Sequence, residues 1–277
     1  MRTFLRLFLR DLFLLFLLVL FASIWPAHLR YEGELSRLSE KTVSSPEFRR
    51  QSLSPEAAET IAALKNPGEY LAVYWLESDF NMETSPVSFD DASSLRGRWD
   101  KLPEWSSYLN ACRAVWDDLA YFPVARDSTG VLSVSFEDSW MFERTYQGER
   151  GHEGTDIMPS VNKNGVFPVV SMTDGVVEEK GWLELGGYRI GIRAPKGAYF
   201  YYAHLDSYAQ IEVGDEVKAG DLLGFMGDTG YGTEEGTRGK FPVHLHLGIY
   251  ICPDEEEFSV NPYPALCYLK EKTVSFR

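Results

Sequence analysis

Apolar and polar positions divide the chain into stretches of distinct texture. Leu12 to Trp25 carries no charge and is dominated by Leu and Phe. As a helix those residues reach only about 21 Å, short of the roughly 30 Å hydrocarbon core of a bilayer. Extending the helix back to Phe4 gives about 33 Å but brings in Arg6, Arg10 and Asp11. Arg2, Arg6 and Arg10 recur every four residues and share one helical stripe, from which their stems can snorkel toward lipid phosphates. Residues 1–27 are therefore expected to form an uncleaved membrane anchor with the N-terminus inside. The expected localisation is the cell membrane, single-pass, with the folded part extracytoplasmic. A cleaved secretory signal, giving a secreted protein, is the alternative, but no clean A-x-A site follows the apolar run.

Residues 28–54 are polar, with many Ser, Arg and Glu, and read as a tether. Ser54-Pro55 has the form of an N-cap followed by proline at the first helical position, opening a helix through about Lys65 that Asn66-Pro67-Gly68 stops. Further helical patterns run from Tyr70 to about Phe80 and from Trp105 to Tyr121, so residues 55–121 are expected to form a small helical region. From Gly130 the period shortens. Runs at Val131–Phe136, Val166–Met172, Gly175–Glu179, Tyr188–Ile192, Tyr199–His204, Leu222–Met226 and His244–Tyr250 alternate with glycine turns. Such spacing predicts an antiparallel sheet, sandwich or barrel-like, in a domain of residues 122–277. The expected fold class is thus mainly β, preceded by a small α-helical region and an N-terminal transmembrane helix.

Composition narrows the classes of function. Hydrophobic residues make up 44% of 277, with 17 Phe, 15 Tyr and 7 Trp, enough to fill a substantial core. A formal net charge of -14 argues against nucleic acid as a partner. No nucleotide cofactor is expected. Cys112, Cys252 and Cys267 are an odd number; Cys252 and Cys267 could pair, but the three read better as small buried hydrophobes.

The chemistry concentrates in the histidines. His28 follows the apolar run, whereas His152, His204, His244 and His246 all lie in the β-rich part. His244 and His246 flank Leu245, so on a strand both imidazoles project from one face. His152 and Asp156 sit in Gly151-His152-Glu153-Gly154-Thr155-Asp156, where glycines permit a tight loop. Glu153 does not make an HExxH motif, since residue 156 is Asp. His204 ends a strand whose alternation gives it the face of Tyr202 and Phe200. A catalytic zinc site needs about three His, Asp or Glu ligands and an open position. Two histidines and one carboxylate can be assembled from these segments, with a histidine left over.

His152-x-x-x-Asp156, Tyr202-Ala203-His204-Leu205 and His244-Leu245-His246, in that order, resemble the motif set of lysostaphin/LytM-type zinc metallopeptidases. Val213 to Gly224 is similar to the hairpin that connects the second and third motifs in that family. The resemblance covers about residues 130–265 and implies a duplicated-hybrid-motif sheet holding one Zn2+ per chain. It implies His152, Asp156 and His246 as metal ligands, and His204 and His244 as the catalytic histidines. The implied activity is endopeptidase cleavage of peptidoglycan stem peptides or cross-bridges. The link between Gly230 and His244 is longer and more charged than in family members, so their specificity does not transfer. Val213 to Gly224 also resembles biotinyl or lipoyl carriers, but no Met-Lys-Met occurs. A catalytically silent wall-binding or regulatory module would be signalled by a lost motif residue, and none is lost. A zinc carboxypeptidase would use the same metal chemistry on a chain end.

Overall fold

The computed structural model describes residues 2–83, 87–146, 148–253 and 256–276. Helices come first: α1 (Arg2–Leu35), α2 (Pro46–Arg49), α3 (Pro55–Ala62), α4 (Gly68–Glu77), α5 (Phe89–Trp99) and α6 (Trp105–Trp116). Strands follow as β1 (Arg126–Asp127), β2 (Val134–Phe136), β3 (Glu143–Arg144), β4 (Arg150–Gly151), β5 (Thr155–Pro159), β6 (Pro168–Val170) and β7 (Gly175–Leu183). They continue as β8 (Gly187–Arg193), β9 (Tyr199–Tyr208), β10 (Glu216–Val217), β11 (Leu222–Met226), β12 (Leu245–Ile251) and β13 (Phe258–Val260). Helix α7 (Tyr263–Leu269) and strand β14 (Ser275–Phe276) close the described chain.

The first expectation to fall is the transmembrane helix. Among the described residues no helix is long and apolar enough to cross a membrane. Helix α1 is 34 residues long, but Arg10 and Asp11 precede its apolar part and Arg30, Glu32 and Glu34 follow it, and the uncharged stretch between them covers only about 27 Å. The single-pass localisation is corrected with it, and a membrane contact through this helix is not supported.

Serine caps explain where three helices start. Ser45, Ser54 and Ser88 accept the backbone N–H groups of Phe48, Ala57 and Asp91, each replacing a donor that the first turn leaves unpaired. Helix α4 is apolar nearly all round, with Tyr70 to Leu76 buried, which makes it the centre of the helical part. Trp75 of α4 is fully buried, as are Trp99 and Trp116 of the neighbouring helices. Within the segment read as a tether, Leu38, Val43 and Phe48 are buried in the same core. Gln51 is also buried and accepts from Trp116 Nε1 at 2.6 Å.

The helices dock on one end of the sheet. Arg49 donates to the Ser259 carbonyl at 2.8 Å, and the Asn261 amide donates to the Arg49 carbonyl at 2.7 Å. The Trp116 and Tyr268 rings meet edge-on at 6.0 Å. Helical and β parts therefore share one continuous core.

The main sheet is antiparallel, in the order β10-β7-β8-β9-β12-β5-β2, with β11 on β9 and β6 and with β13 on β12. Leu245, Leu247, Ile249 and Ile251 of β12 point into the core, which leaves His246, Gly248 and Tyr250 on the opposite face. That face becomes the floor of a cleft. Cys112 is buried as expected, but Cys252 and Cys267 are exposed and unpaired.

Candidate metal centre and active site

Register brings the first two site residues together. His246 on β12 is the direct cross-strand partner of Asp156 on β5 and of Ala203 on β9, so the His246 and Asp156 side chains rise from one face as neighbours. His152 arrives from the β3–β4 hairpin. Its amide donates to the Phe142 carbonyl, and its own carbonyl accepts from Met141. His152 is 3% exposed. His152 Nε2 lies 2.9 Å from His246 Nδ1 and 3.0 Å from Asp156 Oδ1, and His246 Nδ1 lies 3.1 Å from the same oxygen. Gly154 makes room for this: a Cβ there would sit 2.4 Å from His246 Cε1 and 2.6 Å from the Leu247 carbonyl oxygen.

The chemistry of the donor set fits a cation. His152 Nδ1 lies 3.0 Å from the Ser139 carbonyl oxygen, which can only accept, so Nδ1 carries the proton. In the neutral ring Nε2 then presents a lone pair to Asp156 Oδ1. Two acceptors at that separation repel unless positive charge lies between them, and a divalent metal ion supplies it. Burial would raise the Asp156 carboxyl. Where a proton rather than a metal ion fills that gap, hydrogen bonds from His152 and His246, with the nearby imidazoles, hold it well below the usual carboxylate range instead. Arg144 grips the second oxygen, Nη2 to Oδ2, at 2.7 Å.

His204 reaches the same cleft by an irregularity. Strict alternation along β9 would send its side chain into the core with Phe200 and Tyr202, both fully buried. His204 instead has φ of 61°, and the pairings of β9 with β8 and with β11 both shift register close to it. This left-handed residue turns the imidazole onto the face of Tyr199 and Tyr201, where all three line the cleft. The expectation that His204 shares a face with Tyr202 and Phe200 is therefore wrong. The conformation costs about 1–2 kcal/mol, and the surrounding sheet enforces it.

His204 Nδ1 donates to the Thr229 carbonyl at 2.8 Å, and His244 Nδ1 donates to the Pro242 carbonyl at 2.8 Å. Each ring thus keeps an Nε2 lone pair for other work. The two rings lie 4.7 Å apart between centroids, and His244 Nε2 lies 3.7 Å from Asp156 Oδ1. Burial, reinforced by His244 and His246, holds the His204 imidazole well below the usual histidine range. That keeps the ring neutral, with its Nε2 lone pair unprotonated. The long Gly230–His244 link borders the cleft with Tyr231, Phe241 and Pro242. Phe241 packs on His204 and His244 at 4.6 and 5.0 Å, and Tyr146 stacks on Tyr231 at 4.4 Å.

All five predicted site residues meet here. Arg144, Ser139 and Thr229 are additions. Arg144 carries no sequence signal, lying in a stretch without motif eight positions before His152. Ser139 and Thr229 act through backbone carbonyls, which side-chain identity does not announce.

Comparison with known proteins places this geometry. Residues 150–262 match peptidase family M23, and residues 33–118 match the LytM N-terminal domain. A crystal structure from Ruminococcus gnavus ATCC 29149, described as a candidate glycyl-glycine endopeptidase lytM, is 51% identical with a TM-score of 0.81. That match covers 88% of this chain and 98% of the other. The chain belongs to peptidase family M23. The L-Ala--D-Glu endopeptidase of Bacillus subtilis (strain 168) is 45% identical over 133 residues, 48% of this chain and 39% of that protein. The glycyl-glycine endopeptidase ALE-1 of Staphylococcus capitis is 38% identical over 98 residues, 35% of this chain and 24% of that protein. The match thus spans less than half the length of either of these two proteins.

Proposed function

We propose that this chain is a zinc-dependent endopeptidase that hydrolyses peptide bonds in peptidoglycan, with the catalytic unit in residues 122–277. The observation that carries the reading is the convergence of His152 Nε2, His246 Nδ1 and Asp156 Oδ1 within about 3 Å of one another, beside two histidines with free Nε2 atoms. His152, Asp156 and His246 would hold the zinc. When bound, zinc supplies a Lewis acid that polarises the scissile carbonyl and acidifies water.

The protein's own groups do the rest. One of His204 and His244 accepts the proton of the attacking water at Nε2, and the other, when protonated at Nε2 as well, donates to the oxyanion of the tetrahedral intermediate. Thr229 and Pro242 fix both rings through Nδ1, so neither has to reorient during the reaction. Phe241 and Tyr231 cover the histidines and exclude water from that side. Arg144 holds Asp156 in the orientation that presents Oδ1 to the metal. The peptide lies along the cleft floor of Tyr199, Tyr201 and Tyr250.

Mass spectrometry of muropeptides released from purified peptidoglycan by the full chain, with and without a zinc chelator, tests the proposal. New peptide termini should appear only without chelator and return when zinc is restored. Binding to the wall with no release from any wall type would instead leave a silent wall-binding module.

A further inference from the structure

Most charged side chains that line the cleft have an ion-pair partner. Along the tyrosine-lined wall, Glu178 pairs with Arg193 at 2.6 Å and Glu179 with Arg189 at 3.0 Å, while Glu257 approaches Arg193 at 3.8 Å. On the other side the β3–β4 hairpin places Arg144 directly opposite Arg150. Cross-strand partners share a face, and like charges so placed repel. Both arginines line the cleft. Arg144 is neutralised by Asp156. For Arg150 no carboxylate lies within ion-pair distance among the described residues, and its Nε is buried without a hydrogen-bond partner. A guanidinium with a buried, unused donor costs stability, and an anionic ligand would recover that cost.

We propose that Arg150 is a specificity-determining residue that binds a carboxylate of the substrate, so that this site takes peptides bearing a free carboxylate beside the scissile bond rather than neutral glycine bridges. The proposal rests on the peptidase reading above. The forked donors of a guanidinium match a carboxylate in two parallel hydrogen bonds. Arg150 stands two residues before His152, so a carboxylate held there lies next to the reacting centre. In peptidoglycan the α-carboxylate of a γ-linked D-glutamyl residue has this chemistry, and a polyglycine bridge does not.

The test uses the zinc-loaded full chain and two synthetic stem peptides, L-Ala-γ-D-Glu-L-Lys-D-Ala, both amidated at the C-terminus. One carries the free glutamyl α-carboxylate and the other its carboxamide; pentaglycine is the neutral control. The unmodified protein should prefer the free carboxylate by about 10- to 100-fold in kcat/KM and in calorimetric affinity, the scale expected for a charge-assisted pair. Arg150→Gln should remove that preference through KM with kcat little changed, and Arg150→Lys should keep part of it. Equal handling of the two stem peptides by the unmodified protein, or a preference for pentaglycine, overturns the proposal whether or not the variants fold. A uniform loss on all three substrates in Arg150→Gln also overturns it. If nothing is cleaved but binding still discriminates by carboxylate, the peptidase reading falls and the role of Arg150 stands.

Discussion

Gly154 offers a clean geometric test of the metal centre. Its backbone lies outside the left-handed region, so alanine meets no backbone strain there, and the obstacle is space alone. The added Cβ would stand 2.4 Å from His246 Cε1 and 2.6 Å from both His246 Nε2 and the Leu247 carbonyl oxygen. Ordinary contact begins near 3.4 Å, so either the ring or β12 must move by about 1 Å. Metal–ligand distances tolerate only about 0.2 Å. Retreat of the ring is blocked by its packing against His152 at 4.8 Å and Tyr201 at 6.0 Å. Gly154→Ala should therefore lower zinc affinity by about 100-fold, the upper end of what disturbed ligand support produces. Overpacking should cost about 1–3 kcal/mol of stability. Competition against a calibrated chelator measures the first, and denaturant unfolding of the metal-free protein the second. Stoichiometric zinc at unchanged affinity in Gly154→Ala, with full hydrolysis, would refute the assignment of His246 as a ligand packed on this glycine.

Three further outcomes follow from named contacts. Arg144→Gln should weaken zinc binding by about 10- to 100-fold while leaving the fold intact, because Asp156 Oδ2 loses its 2.7 Å partner; unchanged affinity by the same chelator competition would contradict it. Gln51→Ala leaves Trp116 Nε1 without its acceptor and should cost about 1–3 kcal/mol, read as one cooperative shift by tryptophan fluorescence and far-ultraviolet dichroism, since helices and sheet share a core. Asp127 is held at about 2, chiefly by the Thr129 hydroxyl and then by the Thr129 and Leu132 amides. A depressed carboxylate stabilises fully above its unfolded value near 4 and loses that contribution as pH falls toward 2. The stability gap between the unmodified protein and Asp127→Asn should accordingly be flat above about pH 5 and close below it; a gap that widens on acidification would show the sign to be wrong.

Much of the site was legible because its motifs are local. The two-residue spacing of His244 and His246 and the His152-x-x-x-Asp156 loop specify faces and reach without knowledge of the fold. Tyr188 to Ile192 and Leu222 to Met226 read as strands for the same reason, and Ser54-Pro55 read correctly as a helix start. What escaped depends on distant partners. The turning of His204 needs register shifts on two neighbouring strands, and simple alternation along β9 sends it the wrong way. Arg144 and Arg150 acquire meaning only once the hairpin places them opposite each other. Leu38, Val43 and Phe48 are too few and too widely spaced to signal burial within a polar segment, yet all three are buried in the shared core. The N-terminal stretch misled in the other direction. Snorkelling arginines suggested an anchor, but among the described residues no helix is long and apolar enough to cross a membrane.

The central claim is that metal binding and proton transfer belong to different histidines. Zinc content and muropeptide release, measured side by side for His204→Ala, His244→Ala and His246→Ala, test it most directly. Loss of a general base or an oxyanion partner typically costs about 100- to 10,000-fold in rate. The first two variants should therefore keep one zinc per chain and lose activity on that scale, whereas His246→Ala should lose both. Near-full hydrolysis by His204→Ala and His244→Ala, or full zinc in His246→Ala, would contradict the division.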